Sequence, residues 1–213
     1  MGLDMYLHVE RKVDSGMFPE LTIEDPKDGC YVSGYSFHSD EEKRMYAKVV
    51  ATADLVEFAA KDSPSATVYP DHVAVTVGYW RKANAIHRWF VQECQGGVDE
   101  CQPSDPIPKE KIEELIALCH GVLDQSEMFD GNVVVGKQFG PGNETKVLTE
   151  DGQVMSDTSV ALAQKSLPTA SGFFFGSTGY DQYYISDLKR TVEILTKLRT
   201  LPDDCVIRYQ SSW

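Results

Sequence analysis

The sequence predicts an α+β fold, a largely antiparallel sheet with amphipathic helices packed on it. Two alternating segments, "LDMYLHVE" near the start and "DDCVIRYQSSW" at the end, read as strands, and segments with a 3.6-residue period lie between them. The order β β α β α α (β β) β α β repeats no strict βαβ unit, which argues against a doubly wound parallel sheet. With 213 residues, 42% hydrophobic and 25% charged, the chain reads as one domain, 1–213, that buries its own core. An inserted hairpin or flap is expected at about 125–165.

The elements follow in order. After the first strand, "DSGMFPELTIEDPKDG" has the turn chemistry of an excursion, and "GCYVSGYSF" reads as a second strand with Gly34 as a candidate bulge. From Ser39 to about Lys61 a helix is expected, with Ser39 as N-cap, Glu42 at the capping-box spacing and acids in the first turn. "SATVYPDHVAVTVGYW" is strand material in which Val73, Val75 and Val77 point one way and Pro70 marks an edge or a break. The stretch "VGYWRKANAIHRWFVQECQGG", Val77 to Gly97, reads as the next helix. At 100° per residue its core stripe is Tyr79, Ala83, Ile86, Phe90 and Cys94, with Arg81, Asn84 and Arg88 on another face.

"KEKIEELIALCHGVLD" is a plain amphipathic helix, and "NVVVGKQFGPGNETKVLTEDGQVM" a hairpin with "EDGQ" as its turn, or a flap. "SGFFFGSTGYDQYYISDLKRTVEILTKLRTL" gives a short aromatic strand, a Gly-Ser-Thr-Gly turn and a helix burying Tyr184, Leu188, Val192 and Leu195.

Charge and composition narrow the function. The 33 Asp and Glu against 20 Lys and Arg leave a net charge of -13, a field that repels a polyanion, so extended nucleic acid is not an expected partner. The N-terminus lacks a basic and an apolar signal region, and no segment approaches the ~18 apolar residues of a membrane span, so no membrane partner and a cytoplasmic location are expected. Five cysteines without a C-x-x-C pair read as thiols in a reducing compartment. Cys94, Cys101, Cys119 and His120 are too irregularly spaced for a zinc site, so no metal and no cofactor are expected.

The chemistry-bearing residues gather in two places. Tyr79, Trp80 and Trp89 offer stacking surfaces, Arg81, Lys82 and Arg88 can meet phosphate or carboxylate, and Asn84 and His87 can read polar edges. For any one of them a structural role outweighs a ligand role. For Trp80, Arg81, Asn84 and His87 together the two are even, because polar groups flanking a core stripe are where a pocket wall lies. "GSTG", Gly176 to Gly179, can cradle an anion at a helix start through Ser177 and Thr178, with Tyr180 beside it for stacking. A plain N-cap on a tight turn is the stronger reading, since the Walker pattern is absent and Asp181 repels phosphate. If the protein is an enzyme, His87 is the acid or base, with a carboxylate such as Asp181 or Asp4 as its partner.

The segments "MGLDMYL", "GYWRKANAIHRWFV" followed by "QGG", "LPTASGFFFGSTGYDQYYISDL" and "YQSSW" resemble a family of proteins encoded by tailed bacteriophages and prophages. The resemblance covers about half the chain and implies a setting, the cytoplasm of an infected bacterium, with no activity of its own. In that setting the chain is similar in character to small counter-defence proteins that enclose a host nucleotide immune signal without cleaving it. The expectation is therefore a homo-oligomeric binder of a small nucleotide-like ligand. A phosphodiesterase or nucleotide hydrolase acting on such a signal, or an acidic inhibitor of a host protein, is the alternative.

Overall fold

The computed structural model describes residues 2–33, 39–139, 145–172 and 175–213. Its main sheet has five strands in the order β2-β3-β4-β1-β7, every pairing antiparallel: β1 (Asp4–Lys12), β2 (Cys30–Ser33), β3 (Ser65–Val68), β4 (His72–Arg81) and β7 (Val206–Ser212). The helices are α1 (Asp40–Thr52), α2 (Asn84–Cys94), α3 (Lys109–Leu123), α4 (Asp157–Ser166) and α5 (Gln182–Lys197), and β5 (Met128–Phe139) pairs with β6 (Thr145–Met155) as a separate hairpin. The class is α+β, as the patterning predicts. No described helix is long and apolar enough to cross a membrane.

The central strands alternate as the sequence suggests. Met5, Leu7 and Val9 are fully buried, while Asp4, Tyr6, His8 and Glu10 between them stay partly exposed on the other face. Strand β4 breaks this rule once, because its register against β1 shifts between Leu7 and His8, which pair with Gly78 and Thr76. The extra residue is Val77. A bulge of one residue switches the side-chain parity, so even-numbered Trp80 and odd-numbered Val73 and Val75 all face the core.

Trp80 is 1% exposed, donates its indole N–H to Thr191 Oγ1 of α5 at 3.0 Å, and lies at 6.1 Å from the Phe90 ring. The expected helix over 77–97 is therefore two elements. Strand β4 continues through Arg81, Lys82 turns the chain with a left-handed φ of 61°, and α2 starts only at Asn84. Within α2, Ile86 and Phe90 are core as expected, whereas Tyr79 belongs to the strand and sits on the opposite face of the sheet.

Other boundaries also move. The Ser39–Glu42 capping box forms as predicted, but α1 ends at Thr52, where Asp54 takes a positive φ, well short of Lys61. Pro70 lies in the turn of the β3–β4 hairpin. "EDGQ" is not a turn: Glu150 to Gln153 pair within β6 against Asp130 to Val133. The expected insertion is more than a hairpin, since Ser156 caps α4, a helix the sequence reading did not separate. Ser171, Gly172 and Phe175 form no strand, and Phe173, Phe174 and Gly34 lie outside the described residues. In α5, Tyr184, Leu188 and Leu195 are buried as expected, and Val192 only partly.

Replacing Trp80 by Phe should leave the Thr191 hydroxyl without its donor inside the core. We expect a loss of about 1–3 kcal/mol in urea-induced unfolding with an unchanged slope. A changed slope, or no loss, would count against this reading of the Trp80–Thr191 bond.

Candidate functional site

Where β4 hands over to α2, the structure has a cavity of about 300 Å³ lined from four stretches of the chain, 81–85, 134–135, residue 169 and 176–187. Arg81 and Lys82 close the end of β4, Asn84 and Ala85 open α2, and Gly176, Ser177 and Gly179 come from the "GSTG" segment. Val134 and Val135 of β5 and Asp181, Tyr183, Tyr184 and Asp187 at the start of α5 complete it. Val135 is the unpaired residue of a second bulge, because Val134 pairs with Thr149 and Gly136 with Leu148. Bulges next to sites re-aim side chains.

Asn84 assembles this site. It is 4% exposed, and its Nδ2 donates to the carbonyls of Phe175 at 3.0 Å and Ser177 at 2.7 Å, while its Oδ1 accepts from Ala170 N at 3.0 Å. These three bonds clasp Ala170, Phe175 and Ser177 onto the first turn of α2. Asn84 thus has its polar groups committed to the backbone and serves as a clasp where the sequence suggested a reader of ligand edges. Gly176 is required beside it: its φ is 86°, and an added Cβ would stand 3.1 Å from Lys82 Cβ.

Two exposed cations, Arg81 and Lys82, meet at the cavity. Elsewhere Arg11, Lys48, Lys111, Arg199 and Arg208 are in ion pairs with nearby carboxylates, while Lys12, Arg88, Lys165 and Lys189 are in none among the described residues. Arg81 and Lys82 are exposed and form no ion pair among the described residues. They flank the N-terminus of α2, where the N-cap is Ala83 and no side chain caps the helix. The open end of a helix favours an anion.

The carboxylates of α5 oppose each other in role. Asp181 is 3% exposed and caps the helix, with Oδ1 accepting from Tyr183 N at 2.9 Å and Tyr184 N at 3.3 Å. The expected anion cradle at this helix start is therefore already filled by the protein's own carboxylate, and Asp181 takes the capping place expected of Ser177 or Thr178. Ser177 Oγ instead accepts from Gly179 N at 3.1 Å, and the Thr178 carbonyl accepts from Thr169 Oγ1. Burial pushes the Asp181 carboxyl up, against the pull of the two amides. Asp187 is pushed up to about 7, by burial first and then by the charge of Asp181, with Arg190 opposing.

The remaining sequence candidates lie elsewhere. Trp80 is in the core and does not reach the cavity. Tyr79 donates to Asp4 Oδ1 at 2.6 Å on the other face of the sheet. Tyr180 accepts from Thr169 N and packs edge-on against Tyr184. Arg88 borders a separate shallow hollow with Trp89 and Pro168.

His87 is 3% exposed, with Nδ1 at 2.8 Å from the Tyr209 hydroxyl and Nε2 at 3.3 Å from Asp99 Oδ2. Burial lowers its pKa despite Asp99, so the neutral imidazole accepts from Tyr209, and Asp99 ties in Ser211 and Trp213. The expected His87–Asp181 catalytic pair does not come together at the cavity.

Val134, Val135, Thr169, Tyr183 and Asp187 were missed. Asp187 carried a signal, for at i+3 from Tyr184 and i−4 from Thr191 it puts a carboxylate on the apolar side of α5. Compared with protein-family models, curated proteins and solved structures, the chain matches none.

The Asp187 shift sets a pH prediction. Its folded pKa is raised above the ordinary carboxylate value, so its contribution is fully present below 3.8 and is lost as pH rises through about 7. That interval corresponds to at most about 4 kcal/mol. Asp187→Asn should therefore gain stability over the unaltered protein between these limits, with the difference level above pH 7, in denaturant melts across pH. Parallel pH profiles for the two proteins would contradict the assignment.

Proposed function

We propose that the protein binds a small nucleotide-derived ligand in this cavity and holds it unchanged. The observation that carries this reading is the pair Arg81 and Lys82, unpaired among the described residues of a chain of net charge -13, beside an uncapped helix N-terminus in a cavity of about 300 Å³. Such a volume is at the lower end of small-molecule sites, about 300–1,000 Å³. The cations and the open turn of α2 meet the phosphate, charge-assisted and short-ranged, whatever the global charge. Val134, Val135 and the rings of Tyr183 and Tyr184 give the ligand an apolar wall.

In the bacteriophage setting that the resemblance implies, such a protein removes a host nucleotide signal by occupancy. A second reading rests on Asp187: a carboxyl pushed up to about 7 next to Asp181 has the properties of a general acid, which would make the site a hydrolase.

The two are separated by one experiment. Thermal-shift screening against cyclic dinucleotides, cyclic oligonucleotides, ADP-ribose derivatives and mononucleotides should find a stabilising ligand, and about 2.7 kcal/mol is expected at 100 times its dissociation constant. Arg81→Ala and Lys82→Ala should each cut the affinity by about tenfold or more, and chromatography should recover the ligand intact. A consumed ligand would replace sequestration by hydrolysis. Binding indifferent to both substitutions would remove this cavity as the site.

A further inference from the structure

The cavity is lined by two chemically distinct sets of side chains, and the second set bears on which nucleotide it takes. Arg81 and Lys82, from the β4–α2 junction, supply only positive charge and N–H donors. The carboxylates come from α5. Of these, Asp181 Oδ1 is engaged by the amides of Tyr183 and Tyr184. Asp187 lines the same cavity, and its carboxylate has no hydrogen-bond partner among the described residues.

Its backbone is fixed all the same: the Asp187 carbonyl accepts from Thr191 Oγ1 at 2.7 Å, and Thr191 in turn accepts from Trp80. The structure thus holds a half-buried acceptor in place without giving it a donor. The other polar side chains near it are already used, Tyr184 on the Leu167 carbonyl and Tyr183 on Glu150.

We infer that Asp187 reads the base of the ligand, and that the base is guanine. This rests on the reading of the cavity as a nucleotide site. A carboxylate presents two acceptor oxygens side by side. Guanine offers two adjacent donors on one edge, N1–H and the 2-amino group, and both can be accepted at once. Adenine sets an acceptor nitrogen next to its amino group, so one of its two positions repels a carboxylate oxygen. Hypoxanthine keeps N1–H and lacks the amino group, and xanthine replaces that group with a carbonyl. The anionic end then belongs to Arg81 and Lys82, and the base end to Asp187.

Calorimetric titration of the full chain with GMP, IMP, XMP and AMP tests this. GMP should bind about tenfold or more tightly than the other three, since a charge-assisted hydrogen bond is at stake. In Asp187→Asn the amide supplies one acceptor and one donor, so the preference should pass from GMP to XMP, whereas Arg81→Ala should weaken all four alike. The comparison of GMP with IMP uses the unaltered protein and decides the claim even if the Asp187 variant does not fold. Equal affinities for the four, still lowered by Arg81→Ala, would overturn base recognition by Asp187 and leave the anion site standing, as would a preference for AMP. No binding of any of the four would overturn the guanine reading, and no hit in the wider thermal-shift screen would overturn the nucleotide site as well.

Discussion

One extra residue in β4 decides how the rest of the molecule is arranged around its site. Without the bulge at Val77, the valines of β4 and Trp80 would face opposite sides of the sheet. With it, Trp80 enters the core, meets Thr191 of α5, and the strand ends so that Arg81 and Lys82 stand exposed at the mouth of the cavity. The same bond reaches the site from behind, because Thr191 also holds the Asp187 carbonyl. Core packing and ligand wall are thus linked by a single chain of hydrogen bonds from β4 to α5.

A second constraint builds one wall of the cavity at this junction. The described residues between α4 and α5 have little regular structure, so their backbone groups need partners. Asn84 supplies them for Ala170, Phe175 and Ser177, and Gly176 lets Lys82 lie against it. The positive φ of Lys82, unusual for a residue with a side chain, is held by Lys82 N donating to the Leu3 carbonyl and by Asn84 N donating back to the Lys82 carbonyl. In a strongly acidic chain, Arg81 and Lys82 stand here without an ion pair among the described residues, beside a helix start that no side chain caps.

Much of the fold was legible because it rests on local patterns. The alternation in β1 and β7, the Ser39–Glu42 capping box and the 3.6 period of α3 and α5 each specify one element without reference to distant residues. The failures have a common cause. "GYWR" shows apolar and basic residues that fit a helix as well as a strand, and only pairing with β1 fixes it as a strand. "EDGQ" has turn chemistry, but the partner strand overrides it.

Of the residues the sequence singles out, Arg81, Lys82, Asn84 and Ser177 line the cavity, because charged and polar groups cluster visibly in the sequence. The hairpin residues Val134 and Val135 were not, since an apolar residue at a bulge looks like any other strand residue. His87 and Trp80 were misjudged because burial depends on Tyr209 and Thr191, each more than a hundred residues away.

A nucleotide bound at the proposed site is held where β4, α2, α5 and the β5–β6 hairpin meet. Backbone NMR of the labelled protein titrated with GMP tests this without altering any residue. The largest shift changes should fall on Lys82, Ala85, Val135, Gly176, Ser177 and Asp187, with those around the buried His87 and Tyr209 small. Changes centred elsewhere, such as around Arg88 and Pro168, or none at saturating nucleotide, would contradict it.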